Sequence, residues 1–204
     1  LIEICNEKGV LVIDELFDGW MYSKNGNRND YAKWFNKTIE EGNQIIGAAD
    51  GMTWAQFDLR ATINRGKNAP SIIMWSLGNE IQEGAGGSGY DVKARDLIKW
   101  AREVDTSKEL TIGSNAVKNY ASEHVDIANQ LTAVGGTSGT NYSGGSSYDS
   151  LHRDYPNWYL YGSETASSVN SRGVYYKADG GQSNQDLTSY DKSKVNWGAY
   201  ASSA

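Results

Sequence analysis

Residues 72–80 read Ile72-Ile73-Met74-Trp75-Ser76-Leu77-Gly78-Asn79-Glu80, an apolar run that leads directly into polar residues. A short continuous run of large apolar side chains, rich in β-branched residues, is typical of a strand buried on both faces, as in parallel sheets. Similar runs occur at Val10–Ile13, Leu110–Ile112 and Trp158–Tyr161, with a weaker candidate at Leu131–Val134. The pattern predicts five short strands.

Helical patterns separate these runs. The clearest is an amphipathic stripe formed by Ala94, Leu97, Ile98, Ala101 and Val104. Further helices are predicted over residues 29–46, 54–69, 120–129 and 195–204, and a first helix is predicted to end at Gly9. Alternation of strands and helices at this spacing predicts an α/β fold with a parallel sheet, either doubly wound or closed into a barrel.

Composition excludes several classes of protein. The chain has 204 residues, 39% of them hydrophobic, and a formal net charge of −6. We expect no nucleic-acid partner, because neutralising phosphates requires a basic face, and no membrane partner, because no apolar run approaches the length of a bilayer-spanning helix. The single cysteine, Cys5, excludes a disulfide framework within the chain and any cysteine-based metal cluster.

Two predicted strands end at a glutamate. The run at residues 72–79 leads into Glu80, and the run at Trp158–Tyr161 leads through Gly162 and Ser163 into Glu164. Burial disfavours the charged form of a carboxyl group, so one such group can donate a proton while a second stays ionised. Two carboxylates in unlike environments across one pocket are the groups that acetal hydrolysis requires. The alternative is that each glutamate caps a strand and meets solvent.

Three stretches of the chain resemble glycoside hydrolase family 2. Residues 68–80 resemble its acid/base signature, residues 12–20 its third barrel strand, and residues 161–168 its nucleophile strand in a branch of bacterial β-galactosidases. The resemblance covers nearly the whole chain and implies a (β/α)₈ TIM barrel preceded by β-sandwich domains. Residues 1–204 would then carry about strands 3–7 of the eight.

The resemblance also implies roles for individual residues. Glu80 would be the general acid/base and Glu164 the nucleophile, and Asn79 would hold the 2-hydroxyl of the sugar. Tyr142 matches a tyrosine that hydrogen-bonds the nucleophile, and Asp18 would contact the sugar or cap a helix. These roles describe a retaining exo-β-glycosidase acting on terminal β-D-galactosides.

We expect no metal and no cofactor. Family members that bind magnesium use a glutamate and a histidine after the third strand, where this chain has Gly19-Trp20-Met21. The two histidines, His124 and His152, have polar sequence neighbours and are predicted to lie at the surface.

Other functions stay open at this point. A β-glucuronidase or β-mannosidase of the same family would share the motifs. A sugar-binding pseudoenzyme would stack sugars on exposed aromatic side chains, for which the candidates are Trp20, Tyr142, Trp158 and Tyr175. It should, however, have lost one of the two carboxylates, and both are present.

A dinucleotide-binding enzyme is the remote alternative. Residues 84–89, one of two glycine- and serine-rich stretches (the other is 135–147), match G-x-G-x-x-G, with Glu103 and Asp105 about twenty positions later. In the dinucleotide motif the first glycine closes the strand directly, whereas here residues 79–83 intervene. An NAD-dependent oxidoreductase is therefore the weaker interpretation.

The chain is expected to be the central part of a single catalytic domain, incomplete at both ends. It begins within a helical pattern, without an initiator methionine or a signal sequence. We expect its partners to be a β-galactoside substrate and the flanking barrel strands and β-sandwich domains of the full-length protein. An open five-stranded sheet leaves edges and apolar faces uncovered, so the isolated chain is expected to be inactive. Its localisation stays undetermined.

Overall fold

Strands and helices alternate through residues 1–24, 27, 30–81 and 88–165, the part of the chain that the computed structural model describes. The elements are α1 (Ile2–Lys8), β1 (Val12–Glu15), α2 (Ala32–Phe35), α3 (Trp54–Gly66), β2 (Ile72–Asn79), α4 (Tyr90–Val104), β3 (Glu109–Ser114), a 3₁₀ turn (Val117–Asn119), α5 (Ser122–Ala133), β4 (Thr137–Asn141), α6 (Gly145–Asp154) and β5 (Leu160–Glu164). The chain divides into two compact units, residues 1–163 and 164–204. No helix in the described ranges is both long and apolar enough to cross a membrane.

The five strands form one sheet in the order β1-β2-β3-β4-β5, and they are parallel. This arrangement confirms the predicted α/β class and the partial TIM barrel. In the register, Asn79 of β2 lies opposite Gly113 of β3, which lies opposite Gly139 of β4. Three neighbouring strands therefore reach the same level near their carboxyl ends.

The core lies between the sheet and the helices that follow its strands. Its fully buried side chains include Leu59, Ile63, Trp75, Leu77, Leu97 and Leu110. The indole N–H of Trp75 donates to a carboxylate oxygen of Asp105 at 2.9 Å, so the polar edge of this ring is satisfied inside the core.

Two of the aromatic residues considered as sugar platforms belong to the packed interior. Trp20 is 0% exposed and its indole N–H donates to the Leu77 carbonyl at 2.7 Å. Trp158 is buried in a second cluster with Val117, Ala128 and Leu151. Neither ring can stack on a sugar in this arrangement, and Tyr175 lies outside the described residues.

The strand predicted at Leu131–Val134 is wrong. Its first three residues end α5, and the fourth strand is Thr137–Asn141, inside the stretch interpreted as a glycine-rich loop. Every residue of this strand is buried although none is a large apolar residue. Small side chains are needed here, because a Cβ added at Gly139 would lie 2.7 Å from Ser163 Oγ.

The helix predicted over residues 29–46 is wrong in its length. Only Ala32–Phe35 is helical, and the chain then forms an isolated antiparallel bridge between Thr38 and Thr53. Later in the predicted range, Gly42 adopts the left-handed conformation, with φ of 70°, which is incompatible with a regular helix. Helix α6 was not expected, and the helix predicted over residues 195–204 lies outside the described ranges.

The amino end of α4 is occupied by a carboxylate. The backbone N–H groups of Gly89 and Tyr90 donate to the two carboxylate oxygens of Glu123, at 2.9 and 3.4 Å. These are the groups that would meet a pyrophosphate if the preceding glycine-rich stretch bound a dinucleotide. The arrangement argues against the NAD-dependent alternative.

The surface placement predicted for His124 is wrong. His124 is 5% exposed, on the inner face of α5, and its Nδ1 lies 2.9 Å from Ser114 Oγ. Burial lowers the pKa of this imidazole below 6.5, and the nearby Glu123 carboxylate opposes that shift only in part. The other histidine, His152, is exposed.

We predict that His124 makes stability depend on pH. As pH falls below about 6.5 the unfolded chain binds a proton that the buried imidazole resists, so the free energy of unfolding decreases. His124→Asn keeps a polar atom near Ser114 and removes the titration, so stability should fall less between pH 7.5 and 5.5. Calorimetry of the complete protein at several pH values measures this, with His152→Asn as the control. Identical pH dependence in wild type and His124→Asn would contradict the prediction.

Candidate active site

The backbone is strained at the end of β2. Glu80 has φ of 45°, a left-handed conformation that non-glycine residues rarely adopt. Two backbone hydrogen bonds fix this conformation. The Glu80 N–H donates to the Gly113 carbonyl of β3 at 2.9 Å, and the Asn79 N–H donates to the Asp18 carbonyl, which follows β1, at 3.1 Å. Such strain occurs at functional sites, where the surroundings fix a side chain in an unusual position. Glu80 is 8% exposed.

A network of side-chain hydrogen bonds surrounds this carboxylate. Asn141, the last residue of β4, is 0% exposed, and its Nδ2 donates to Glu80 Oε1 at 2.8 Å and to Asn79 Oδ1 at 2.9 Å. On its other side, Ser163 Oγ donates to Asn141 Oδ1 at 2.5 Å. These four residues, Asn79, Glu80, Asn141 and Ser163, form the strand-end polar cluster. It joins the carboxyl ends of β2, β4 and β5.

Two glycines make room for the strand-end polar cluster. A Cβ added at Gly113 would lie 2.7 Å from Asn79 Oδ1 and 3.3 Å from Asn141 Oδ1. A Cβ at Gly139 would lie 2.7 Å from Ser163 Oγ. Both distances of 2.7 Å are shorter than side chains tolerate, so the cluster requires glycine on β3 and β4.

Glu164 is the last residue of β5, directly after Ser163, and it is half-buried. It therefore occupies the position on its strand that the sequence predicted. Its role as nucleophile stays a prediction.

Tyr142 directly follows Asn141 and also has left-handed backbone, with φ of 53°. The Lys118 ammonium donates to the carbonyls of both residues at 2.8 Å and lies 5.6 Å from the centroid of the tyrosine ring. This lysine fixes the backbone that leaves β4. The proposed contact of Tyr142 with the nucleophile stays a prediction.

The Asp18 side chain lies away from the strand-end polar cluster. It is 70% exposed and forms an ion pair with Lys24 at 2.8 Å, and only its backbone carbonyl reaches Asn79. No helix begins in residues 19–24, so the alternative helix-capping role is wrong. A sugar contact for Asp18 stays a prediction.

The sequence reasoning missed two members of the strand-end polar cluster, Asn141 and Ser163. Each stood next to a residue that was selected, Tyr142 and Glu164. The signal that could have identified them is positional, because polar residues that end neighbouring parallel strands meet at one edge of the sheet.

The described ranges contain no group of three or more His, Cys, Asp or Glu side chains that could hold a metal ion.

The family model described as "Glycosyl hydrolases family 2, TIM barrel domain" matches residues 1–139. The chain belongs to this family. Among solved structures, a glycosyl hydrolase family 2 member from Bacteroides cellulosilyticus DSM 14838 matches with a TM-score of 0.61 at 28% identity. The match covers 82% of this chain and 18% of that one.

Two curated proteins are similar in sequence to part of this chain. Beta-galactosidase BoGH2A of Bacteroides ovatus is 36% identical over 83 residues, which are 41% of this chain. A Formosa agariphila protein provisionally named a β-glucuronidase is 33% identical over 112 residues, or 55% of this chain. The matched region makes up 8% of the length of each relative.

We predict that Gly113→Ala destabilises the domain. Its Cβ would clash with the Asn79 amide, which is held by Asn141 and cannot move freely, so the free energy of unfolding should fall by about 1–3 kcal/mol. Gly145→Ala at the start of α6 is the control, because a Cβ there meets nothing within 4 Å. Calorimetry of both variants in the complete protein measures the difference. Equal stability of the two variants would show that the cluster is not tightly packed against β3.

Proposed function

We propose that this chain is the central part of the catalytic TIM barrel of a retaining exo-β-glycosidase that hydrolyses terminal β-D-galactosides. The observation that carries the proposal is the placement of Glu80: it is buried, strained in its backbone and hydrogen-bonded to Asn141 at the carboxyl edge of a parallel sheet. This edge is where TIM barrels carry their active sites. Family membership and the glutamate that ends β5 support the same reaction.

The reaction proceeds in two displacements. Glu164 attacks the anomeric carbon while Glu80 gives its proton to the glycosidic oxygen, so the aglycone leaves and a covalent glycosyl-enzyme remains. Glu80, now a carboxylate, takes a proton from water, and the oxygen of that water attacks the anomeric carbon. The bond to Glu164 breaks, and the sugar leaves with its original anomeric configuration.

Asn79 is suited to orient the sugar. Its Oδ1 accepts from Asn141, which leaves the amide Nδ2 as the donor that this side chain offers to a sugar hydroxyl. In this proposal the hydroxyl is the one at position 2, whose hydrogen bonds strengthen towards the transition state. Tyr142 would hydrogen-bond the nucleophile, and Asp18 would contact the sugar.

A galactoside is the proposed substrate because the relative with 36% identity is named a β-galactosidase. The second candidate is a β-glucuronide, which the provisional name of the Formosa agariphila protein favours. A glucuronidase needs, in addition, a cation that binds the substrate carboxylate. Turnover of aryl β-galactoside, β-glucuronide and β-mannoside by the complete protein distinguishes the three activities.

We predict that the loss caused by Glu80→Ala depends on the leaving group. An alkyl β-galactoside needs protonation of its leaving oxygen and should lose about 10²–10⁴-fold in kcat/KM, whereas a 2,4-dinitrophenyl galactoside should lose far less. Azide should partly restore turnover of the activated substrate, because it attacks the glycosyl-enzyme without a general base. Steady-state kinetics of the complete protein, with and without azide, measure both effects.

Glu164→Gln is the matched comparison. It removes the nucleophile, so turnover should be lost on both substrates while sugar binding is largely kept. An equal loss on both substrates in Glu80→Ala would contradict the acid/base role of Glu80.

A further inference from the structure

We propose that Asn141 is a positioning residue for the acid/base step: its amide fixes the Glu80 carboxylate and determines which of the two carboxylate oxygens carries the proton. The inference rests on the proposed function of Glu80 as general acid/base. It gives a role to Asn141, which was not among the site residues predicted from the sequence.

The hydrogen-bond chemistry permits one orientation of the Asn141 amide. The structure places the NH₂ end of the amide 2.8 Å from Glu80 Oε1, and the carboxylate that exists between the two displacements requires this orientation because an ionised carboxylate only accepts hydrogen bonds. The opposite end is then the carbonyl oxygen, which accepts from the hydroxyl of Ser163. Turning the amide over would bring its oxygen against both Glu80 Oε1 and Asn79 Oδ1, which are acceptors.

Asn141 is held too firmly to turn aside. Its side chain is 0% exposed and ends a buried strand, and its carbonyl accepts from Lys118 Nζ at 2.8 Å. Gly113 lies against the same amide, since a Cβ added there would be 3.3 Å from Asn141 Oδ1. The NH₂ group therefore has a fixed position when Glu80 changes its charge.

This fixed donor distinguishes the two oxygens of Glu80. Because Oε1 accepts an N–H from Asn141, the proton of the neutral acid lies on Oε2. In the first displacement the proton passes from Oε2 to the glycosidic oxygen, which keeps the electron pair of the broken bond to carbon. In the second, Oε2 takes a proton from the attacking water. The same N–H stabilises the carboxylate that exists between these steps.

The variant Asn141→Asp tests this role in the complete protein. Aspartate keeps the size of the side chain and an oxygen to accept from Ser163, but it replaces the NH₂ donor with an acceptor that can carry charge. We expect kcat/KM for an alkyl β-galactoside to fall about 10²-fold, and that for 2,4-dinitrophenyl β-galactoside to fall about tenfold or less. The alkaline limb of the pH profile for the alkyl substrate should move to higher pH, because a like charge disfavours ionisation of the acid.

Two further variants complete the experiment. Asn141→Ala removes the donor without adding charge, and it should give the same dependence on leaving group if the aspartate variant does not fold. Asn129→Asp is the matched control, because that amide accepts from the Trp158 indole at 2.9 Å, an acceptor role that aspartate retains. It should leave the kinetics and the pH profile unchanged.

The outcomes separate this inference from the proposed function. A leaving-group dependence in Glu80→Ala, together with equal losses on both substrates in the Asn141 variants, would overturn the role of Asn141 alone. A loss on the alkyl substrate about tenfold or more larger than the loss on the dinitrophenyl substrate, with a shifted alkaline limb, would support it. If Glu80→Ala shows no dependence on the leaving group, the proposed function fails, and the role of Asn141 fails with it.

Discussion

The side-chain amide of Asn141 is the interaction on which the rest of the site depends. Its one NH₂ group donates to Asn79 at the end of β2 and to Glu80 directly after it, and its oxygen accepts from a hydroxyl on β5. A buried carboxylate without a donor is costly, and the N–H that this amide donates stabilises Glu80 inside the protein. The amide in turn requires parallel strands in this register and glycine at residues 113 and 139.

The strands that the sequence revealed are those with apolar side chains on both faces. The apolar runs of β1, β2 and β3 overlap the observed strands, and β5 begins two residues later than predicted. Strand β4 was not predicted, because its sequence, Thr-Ser-Gly-Thr-Asn, contains no apolar run. All five of its residues are nevertheless buried. The side chains of Thr137 and Asn141 have polar partners on other strands, and a local pattern of hydrophobicity contains no information about such contacts.

The predicted and the missed site residues also differ in whether a local apolar run marks them. Glu80 and Asn79 could be selected because each follows a recognisable apolar run within a motif. Asn141 and Ser163 are defined by contacts across strands, which depend on register rather than on local sequence. His124 is a different case, because its spacing from Ile127, Ala128 and Leu131 indicates the buried face of α5, whereas the polar neighbours in sequence suggested the surface.

The proposed reaction requires the carboxyl groups of Glu80 and Glu164 to act on the same sugar. A crystal structure of the complete protein with an unreactive galactoside analogue would measure the separation of the Glu80 and Glu164 carboxyl groups. The account predicts about 5–5.5 Å, the separation that direct attack by a nucleophile requires. A separation of about 6.5–9.5 Å would indicate an inverting reaction, and side chains in separate pockets would contradict the glycosidase assignment altogether.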